Sequence, residues 1–194
     1  MEDSKILIIG ANGQLGWELQ QTFPDATGLT RDELDVTDIA MVRSAIREVN
    51  PDLVFNCTAY NSVDKAENQG HEAITINATA PAVMASEAYR VGAAFYHFST
   101  DYVFGGHHND PIDEGHPPSP INAYGRSKWL GEQKVMQNHP GAVVMRLTGL
   151  YSHRRHNFVK TMLKNAIQGN PLQVVNDQFV SPTWVRPIAK TIAN

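Results

Sequence analysis

The chain has little cysteine, no run of basic residues and no long apolar stretch. Its single cysteine, Cys57, excludes an internal disulfide. Because Cys57 ends an apolar segment and has no base beside it, we interpret it as a small buried side chain rather than a nucleophile. The net charge of −4 argues against general attraction to nucleic acid or anionic lipid. With no stretch of membrane-spanning length and an N-terminus that leads straight into an apolar segment, we expect a cytoplasmic protein that binds neither nucleic acid nor membrane.

What is present is enough hydrophobic material, 42% of 194 residues, to bury one substantial core. Short apolar segments alternate with helical patterns along the chain. The predicted strands are 5–9, 26–29, 53–57, 94–98 and 142–147. The predicted helices are 14–23, 38–49, 71–91 and 123–138. This alternation predicts an α/β fold, a Rossmann-type doubly wound parallel sheet with helices on both faces.

The C-terminal part has a different pattern, with a helix predicted near 157–168, a strand near 173–175 and a last helix from Thr183. We therefore divide the chain into a dinucleotide-binding domain at 1–150 and a small, partial substrate-binding region at 151–194. Residues 105–120 are polar and rich in proline, which predicts a surface loop, and a position over the site is one option for it.

Three glycines, Gly10, Gly13 and Gly16, directly follow the first predicted strand and open the first predicted helix. A helix N-terminus offers free backbone N–H groups, and glycines let phosphates approach the backbone closely. The pattern indicates a nucleotide diphosphate site, although structural α/β connections share it.

A phenol and an ammonium, Tyr124 and Lys128, lie four residues apart and therefore on one face of a predicted helix. A fixed cation stabilises phenolate, so Lys128 is expected to bring the pKa of Tyr124 from near 10 towards neutral pH. Thr100 follows a predicted strand, at the sheet edge where ligands of such folds bind, and its hydroxyl could polarise a substrate oxygen. Order and spacing favour a nicotinamide-dependent carbonyl reduction over an ordinary exposed Tyr/Lys pair.

Together these motifs resemble the dTDP-4-dehydrorhamnose reductase family of extended short-chain dehydrogenases/reductases, over nearly the whole chain. The supporting stretches are 10–19, 56–60, 63–67, 76–78, 99–104, 124–128, 131–132, 157–162 and 176–178. The resemblance implies hydride transfer to C4 of dTDP-4-dehydro-L-rhamnose, giving dTDP-L-rhamnose, with a sugar nucleotide as partner. Tyr124 would donate the proton, Lys128 would bind the cofactor ribose and tune the phenol, and Thr100 would contact the sugar carbonyl region.

The resemblance also implies two sets of binding residues. The sugar would lie along Val63, Thr100, Asp101, Tyr102 and Tyr124. The cofactor would contact Gly10, Asn12, Gly13, Gln14, Leu15, Gly16, Thr30, Arg31, Asp35, Val36, Thr58, Ala59, Tyr60, Tyr124 and Lys128. For two of these stretches a structural interpretation stays open, in which Asp35 caps the following helix and 58–60 merely turn the chain.

The end of the second predicted strand lacks an acid that would read the ribose hydroxyls, whereas Arg31 could pair with a 2′-phosphate. We therefore favour NADPH, with NADH as the alternative. No metal site is predicted, and His107-His108 are too isolated from other ligands to form one. The resemblance allows Mg²⁺ at the diphosphate or at a subunit contact, and it allows a homodimer.

Several alternatives stay open. The resemblance extends to 4,6-dehydratases and 4-epimerases, but Tyr102 stands where a dehydratase needs an acid. Another 4-keto-6-deoxy sugar nucleotide could be the substrate, and a non-catalytic NADP-binding regulatory subunit, like that of methionine adenosyltransferase, shares the pattern.

Two departures bear on the substrate. Gly149 replaces the tryptophan that in the family packs on the sugar, for which Tyr102 or Trp184 could substitute. Family members also usually continue well beyond residue 194. The run His153 to His156 is interpreted either as a solvated loop or as a contact to the substrate diphosphate.

Overall fold

A computed structural model of the chain describes residues 4–106, 110–176 and 180–193. The strands in these ranges are β1 (Ile6–Ile9), β2 (Thr27–Leu29), β3 (Leu53–Asn56), β4 (Ala94–Thr100), β5 (Val143–Leu147), β6 (Leu150–Tyr151) and β7 (Thr183–Trp184). The α-helices are α1 (Gln14–Thr22), α2 (Ile39–Val49), α3 (Val63–Ala66), α4 (Gly70–Ile74), α5 (Ala80–Val91), α6 (Ala123–Asn138), α7 (Phe158–Ile167) and α8 (Val185–Ala193). A π-helical segment, Thr75–Thr79, joins α4 to α5, and a 3₁₀ turn, Asp101–Val103, follows β4.

Five parallel strands form the main sheet in the order β2-β1-β3-β4-β5. Ile8 pairs with Phe55, which in turn pairs with Tyr96, so the central strands are in register through the core. The predicted doubly wound parallel sheet is confirmed. The strand order reverses between β1 and β3, and a crevice opens at the carboxyl ends of strands at such a point.

Successive side chains of a strand point to opposite faces of the sheet, so the strands contribute to two separate apolar layers. On one face, Leu7, Val54 and Phe95 pack against α2 and α5 through buried residues such as Ile46 and Met84. On the other face Ile6, Ile8 and Phe55 pack under α1 and α8, which contribute Leu15, Leu19, Val185 and Ala189. Helix α8 therefore belongs to the same core as the first strand, although it comes from the C-terminal end of the described chain.

The C-terminal predictions need two corrections. The strand predicted near 173–175 is wrong, because these residues have no regular structure and Val174 and Val175 are 50% and 62% exposed. An apolar run forms a strand only where a neighbouring strand and a buried face receive it. The last helix begins at Val185 rather than Thr183, because Thr183 and Trp184 pair with Leu150 and Tyr151 in a small second sheet.

The remaining predicted strands and helices are confirmed to within a few residues, except that the π-helical segment interrupts the predicted helix 71–91. Across the described ranges, no helix combines the length and the apolar character that crossing a bilayer needs.

Candidate active site

Two glycines at the turn after β1 leave no room for a side chain. Gly10 has φ +88°, and a Cβ there would lie 3.0 Å from the carbonyl carbon and oxygen of Cys57, which directly follows β3. A Cβ on Gly16 would overlap the carbonyl oxygen of Gly10. Gly13 caps α1 and, having no side chain, accepts no side-chain hydrogen bond from the first helical turn. A bare helix N-terminus beside a glycine turn fits a dinucleotide diphosphate.

A cleft of about 280 Å³ opens at this turn, at the point where the strand order reverses. It brings together nine of the predicted cofactor residues: Gly10, Asn12, Gly13, Thr30, Arg31, Asp35, Val36, Thr58 and Ala59. Six lining residues were not predicted: Leu34, Thr37, Cys57, Asn61, Ile76 and Arg155. Desolvation raises the pKa of the Cys57 thiol, in keeping with the interpretation that it is not a nucleophile, although the residue is partly rather than fully buried.

Six predicted cofactor residues do not line this cleft: Gln14, Leu15, Gly16, Tyr60, Tyr124 and Lys128. Leu15 is buried in the core beside α8. The Gln14 side-chain oxygen accepts hydrogen bonds from the Ser152 hydroxyl at 2.9 Å and the Asn157 amide at 3.1 Å. Gln14 thus ties the glycine turn to the segment after β6.

The outer end of the cleft is formed by the turn after β2. The Thr30 backbone N–H and hydroxyl both donate to Glu33, and those of Thr37 both donate to Asp35. The two hydrogen bonds from Thr37 lower the pKa of the Asp35 carboxyl, and the positive charge of Arg31 lowers it further. The interpretation of Asp35 as the helix cap is wrong, because Asp38 accepts the N–H groups of Ala40 and Met41 and so caps α2.

The segment 58–60 runs from the cleft to the predicted catalytic residues. The Asn56 side-chain oxygen accepts the N–H and the hydroxyl of Thr58, which fixes the start of the segment. At its end the Tyr60 N–H donates to the Asn77 side-chain oxygen at 2.8 Å, and the Asn77 amide donates back to the Tyr60 carbonyl. Tyr60 also hydrogen-bonds Gln69 through its hydroxyl.

Asn77 extends this connection to α6. Its buried amide donates to the Ser127 hydroxyl at 2.9 Å, and Ser127 donates to the carbonyl of Tyr124 at 2.7 Å. Helix α6 begins at Ala123 because the Asn122 side chain accepts the N–H of Gly125. Asn77 and Ser127 were not predicted as site residues, although both lie in the motif stretches 76–78 and 124–128.

Tyr124 is 8% exposed and lies beside the end of β4. The Thr100 hydroxyl donates to Asp101 at 3.0 Å, and the other oxygen of Asp101 accepts the Thr148 hydroxyl at 2.7 Å. The Tyr102 and Tyr124 rings meet edge to face at 5.5 Å. Val63 packs in the same small cluster as Tyr124, so all five predicted substrate residues share one neighbourhood.

The expected lowering of the Tyr124 pKa is wrong for this structure. Burial raises the pKa of the phenol to about 12, and the charge of Asp101 adds to the rise, whereas hydrogen bonding with Thr100 opposes it. Lys128 is almost fully buried and its ammonium donates to the Phe98 carbonyl at 2.7 Å. Burial also lowers the pKa of Lys128 to about 8, against the opposing charge of Glu132. Desolvation is therefore the largest cause of the pKa shift in both Tyr124 and Lys128.

Two further predictions concern the substrate side. Gly149 has φ +54°, and a Cβ there would lie 3.1 Å from the Ser181 carbonyl, so a tryptophan would be strained at this position. Of the two aromatic substitutes considered, Tyr102 packs on Tyr124, whereas Trp184 is 43% exposed and stacks under Arg186.

The run from His153 to His156 docks against α1. The His153 ring meets the Trp17 ring edge to face at 4.9 Å, and the Arg154 guanidinium lies 4.8 Å above the same ring. Arg155 lines the cofactor cleft. All four residues are exposed, as the interpretation as a solvated loop predicts, and three of them also contact α1 or the cleft.

A larger groove, of about 1210 Å³, runs along β5 and α6. The described part of the predicted loop borders this groove through residues 110–114, and the predicted substrate residue Asp101 lines the same groove. His107 and His108 lie outside the described residues. Within the described ranges no group of three His, Cys, Asp or Glu could hold a metal ion, so the structure gives Mg²⁺ no support.

The fold is that of a Rossmann-type reductase, and the cleft lies where the strand order of such folds reverses. Residues 4–194 match the family model of the RmlD substrate binding domain, and the chain belongs to this family.

Two relatives and one solved structure illustrate the similarity. The dTDP-4-dehydrorhamnose reductase of Burkholderia thailandensis is 41% identical over 98% of this chain. A probable dTDP-4,6-dihydroxy-2-methyloxan-3-one 4-ketoreductase of Streptomyces antibioticus is 42% identical over 96%. The crystal structure of the Bacillus anthracis dTDP-4-dehydrorhamnose reductase with NADP superposes with a TM-score of 0.94, at 39% identity, over 97% of this chain and 69% of its own. The chain spans 65% of the length of each of the first two proteins.

Proposed function

We propose that the chain acts as an NADP-dependent oxidoreductase, reducing the C4 keto group of dTDP-4-dehydro-L-rhamnose to give dTDP-L-rhamnose. The observation that carries the proposal is the position of Tyr124, packed beside Thr100 and Asp101 and joined through Asn77 to the segment that lines the cofactor cleft. The names of the relatives from Burkholderia thailandensis and Bacillus anthracis support the substrate and the cofactor.

The cofactor would lie with its diphosphate on the glycine turn and its adenosine between Arg31 and Val36, and its reduced nicotinamide would supply a hydride. Tyr124 would donate a proton to the oxygen on which negative charge develops. A phenol with a pKa near 12 remains protonated throughout the physiological range, so it is present as a donor. Thr100 would orient the sugar carbonyl, and Lys128 would place positive charge at the floor of the site.

NADPH is the proposed cofactor in preference to NADH. Arg31 lines the outer end of the cleft, where the adenosine ribose would lie, and a guanidinium there suits a 2′-phosphate. Asp35, which shares that end, is engaged by Thr37.

A second candidate is reduction of another 4-keto-6-deoxy sugar nucleotide. The Streptomyces antibioticus relative is named for a different keto substrate at a similar identity. Gly149, with its left-handed backbone, removes the indole surface expected beside the sugar.

The same proposal includes a dinucleotide-binding part at 1–150, a substrate-binding part at 151–194, a cytoplasmic location and a homodimer. Sedimentation at several protein concentrations would test the homodimer directly.

The deciding experiment follows NADPH absorbance with dTDP-4-dehydro-L-rhamnose as substrate. We expect substrate-dependent oxidation that falls by a factor on the order of 10²–10⁴ in Tyr124→Phe, because the proton donor is lost. Tyr89→Phe is the matched control, since Tyr89 is 62% exposed and lies on α5. Full turnover by Tyr124→Phe would refute the assignment of the donor. NADPH binding without turnover of any keto sugar would instead favour a non-catalytic regulatory subunit.

A further inference from the structure

Arg155 is the residue of the cofactor cleft that the rest of the fold leaves unexplained. It lies on the segment between β6 and α7, yet it lines the same cleft as Gly10, Asn12 and Gly13. Its backbone has φ +54°, a left-handed conformation that side chains other than glycine rarely adopt. Strain of this kind persists only where the surrounding structure imposes it.

Hydrogen bonds on both sides of Arg155 hold its segment in place. Asn157 is buried, caps α7 and donates to the Ser152 carbonyl at 2.8 Å, while Ser152 accepts the N–H of Arg154. Ser152 and Asn157 both donate to Gln14, the first residue of α1. The segment is therefore fastened at both ends to the residue that directly follows the glycine turn.

The neighbours of Arg155 all have partners. His153 and Arg154 contact Trp17, and His156 hydrogen-bonds Thr161. Arg155 is exposed, has a left-handed backbone and has no hydrogen bond or ion pair within the described part of the chain. A guanidinium in this position, beside the N-terminus of α1, suits a dianionic ligand.

We propose that Arg155 binds the cofactor diphosphate from the side of the cleft opposite the glycine turn. Two arginines then divide the anionic groups of the cofactor between them. Arg31 takes the 2′-phosphate at the outer end, and Arg155 takes the diphosphate next to Gln14. Arg155 also makes the segment between β6 and α7 part of the cofactor site. This inference rests on the proposed use of a nicotinamide dinucleotide.

Calorimetric titration of the purified chain with NADP⁺ and with NAD⁺ tests the assignment, together with thermal unfolding of the ligand-free protein. Arg155→Gly removes the guanidinium and also relieves the left-handed backbone. We expect it to weaken binding of both dinucleotides by a similar factor, about tenfold or more, and to raise the unfolding temperature. If Arg155 had only a structural role, Arg155→Gly would not weaken dinucleotide binding while raising the unfolding temperature.

Three further variants sharpen the result. Arg155→Lys keeps the charge and should recover most of the affinity. The Arg154 side chain packs on Trp17, so Arg154→Ala should bind both dinucleotides as the wild type does. Arg31→Ala should weaken NADP⁺ binding alone, since NAD⁺ has no 2′-phosphate.

Wild-type affinity of Arg155→Gly for both dinucleotides would overturn the inference and leave the proposed function intact. An effect of Arg155→Gly on NADP⁺ alone would overturn it too, because it would assign Arg155 to the 2′-phosphate. Failure of the wild-type chain to bind either dinucleotide would overturn the inference and the proposed function together.

Discussion

The carbonyl oxygen of Asn77 occupies the space that a side chain at Gly131 would need. The π-helical segment and α6 meet there without a side chain between their backbones. This close approach lets the Asn77 side chain reach both Ser127 and Tyr60. The contact between Asn77 and Gly131 therefore sets the distance between segment 58–60 and α6.

Gly131→Ala should therefore separate the two helices. We expect a loss of about 2 kcal/mol or more in the free energy of unfolding, because the obstructing atom belongs to the backbone and cannot rotate away. Urea denaturation measures the loss. Gly70→Ala is the matched control, since no atom lies within 4 Å of a Cβ at Gly70. Equal stability of the two variants would contradict the close approach.

The low pKa of Lys128 has a consequence for stability. The folded protein releases this proton near pH 8, whereas an unfolded lysine keeps it to about pH 10.5, so the unfolded chain binds more protons between these values. Stability of the wild type relative to Lys128→Met should therefore rise as pH increases from 8 to 10.5, by an amount on the order of 2 kcal/mol. Parallel urea titrations at several pH values measure the difference, and a difference that does not change with pH would disprove the shift.

The buried carboxylate of Glu87 on α5 is bound by three arginines: Arg43, Arg47 and Arg90. Hydrogen bonding from Arg47 is the largest of the causes that lower its pKa, to about 2. The stabilisation is complete above pH 4.5 and disappears as pH falls through 2.

Glu87→Gln should thus lower the free energy of unfolding by about 2 kcal/mol at pH 7, and the difference from wild type should shrink towards pH 2. Glu48→Gln on α2 is the control, because Ser44 is its hydrogen-bond donor and a glutamine oxygen accepts that bond equally well. Chemical denaturation at pH 7 and at pH 3 measures the difference in the free energy of unfolding. An equal difference at both pH values would contradict the prediction.

Cofactor preference is the fourth prediction. Arg31→Ala should raise the KM for NADPH about tenfold and leave the KM for NADH nearly unchanged, because only NADPH carries the 2′-phosphate that a guanidinium binds. Steady-state rates with both cofactors give the ratio. A parallel loss with both cofactors would place Arg31 elsewhere along the nucleotide.

The sequence predicted the features that depend on local order. The glycine turn follows β1 because apolar residues, turn and helix are consecutive in the chain. Tyr124 and Lys128 share a helix face because of helical periodicity. The crevice could also be foreseen, since parallel strands of this kind bind ligands at their carboxyl ends.

Features that depend on tertiary contacts could not be predicted in this way. Nothing near Arg155 in the sequence indicates that Gln14 holds its segment against the cleft. The prediction of a lowered pKa for Tyr124 was wrong because helical spacing reveals a neighbouring lysine but not the burial of both groups. The strand expected near 173–175 failed because apolar composition alone cannot tell whether a partner strand is available.

The packing of α8 on α1 matters for how the chain is made. A ribosome releases the N-terminal helix long before it reaches Val185 and Ala189, so Leu15 and Leu19 lack part of their apolar cover through most of synthesis. The glycine turn consequently gains its full packing late in translation, and nascent chains stalled before α8 should be substrates for holdase chaperones.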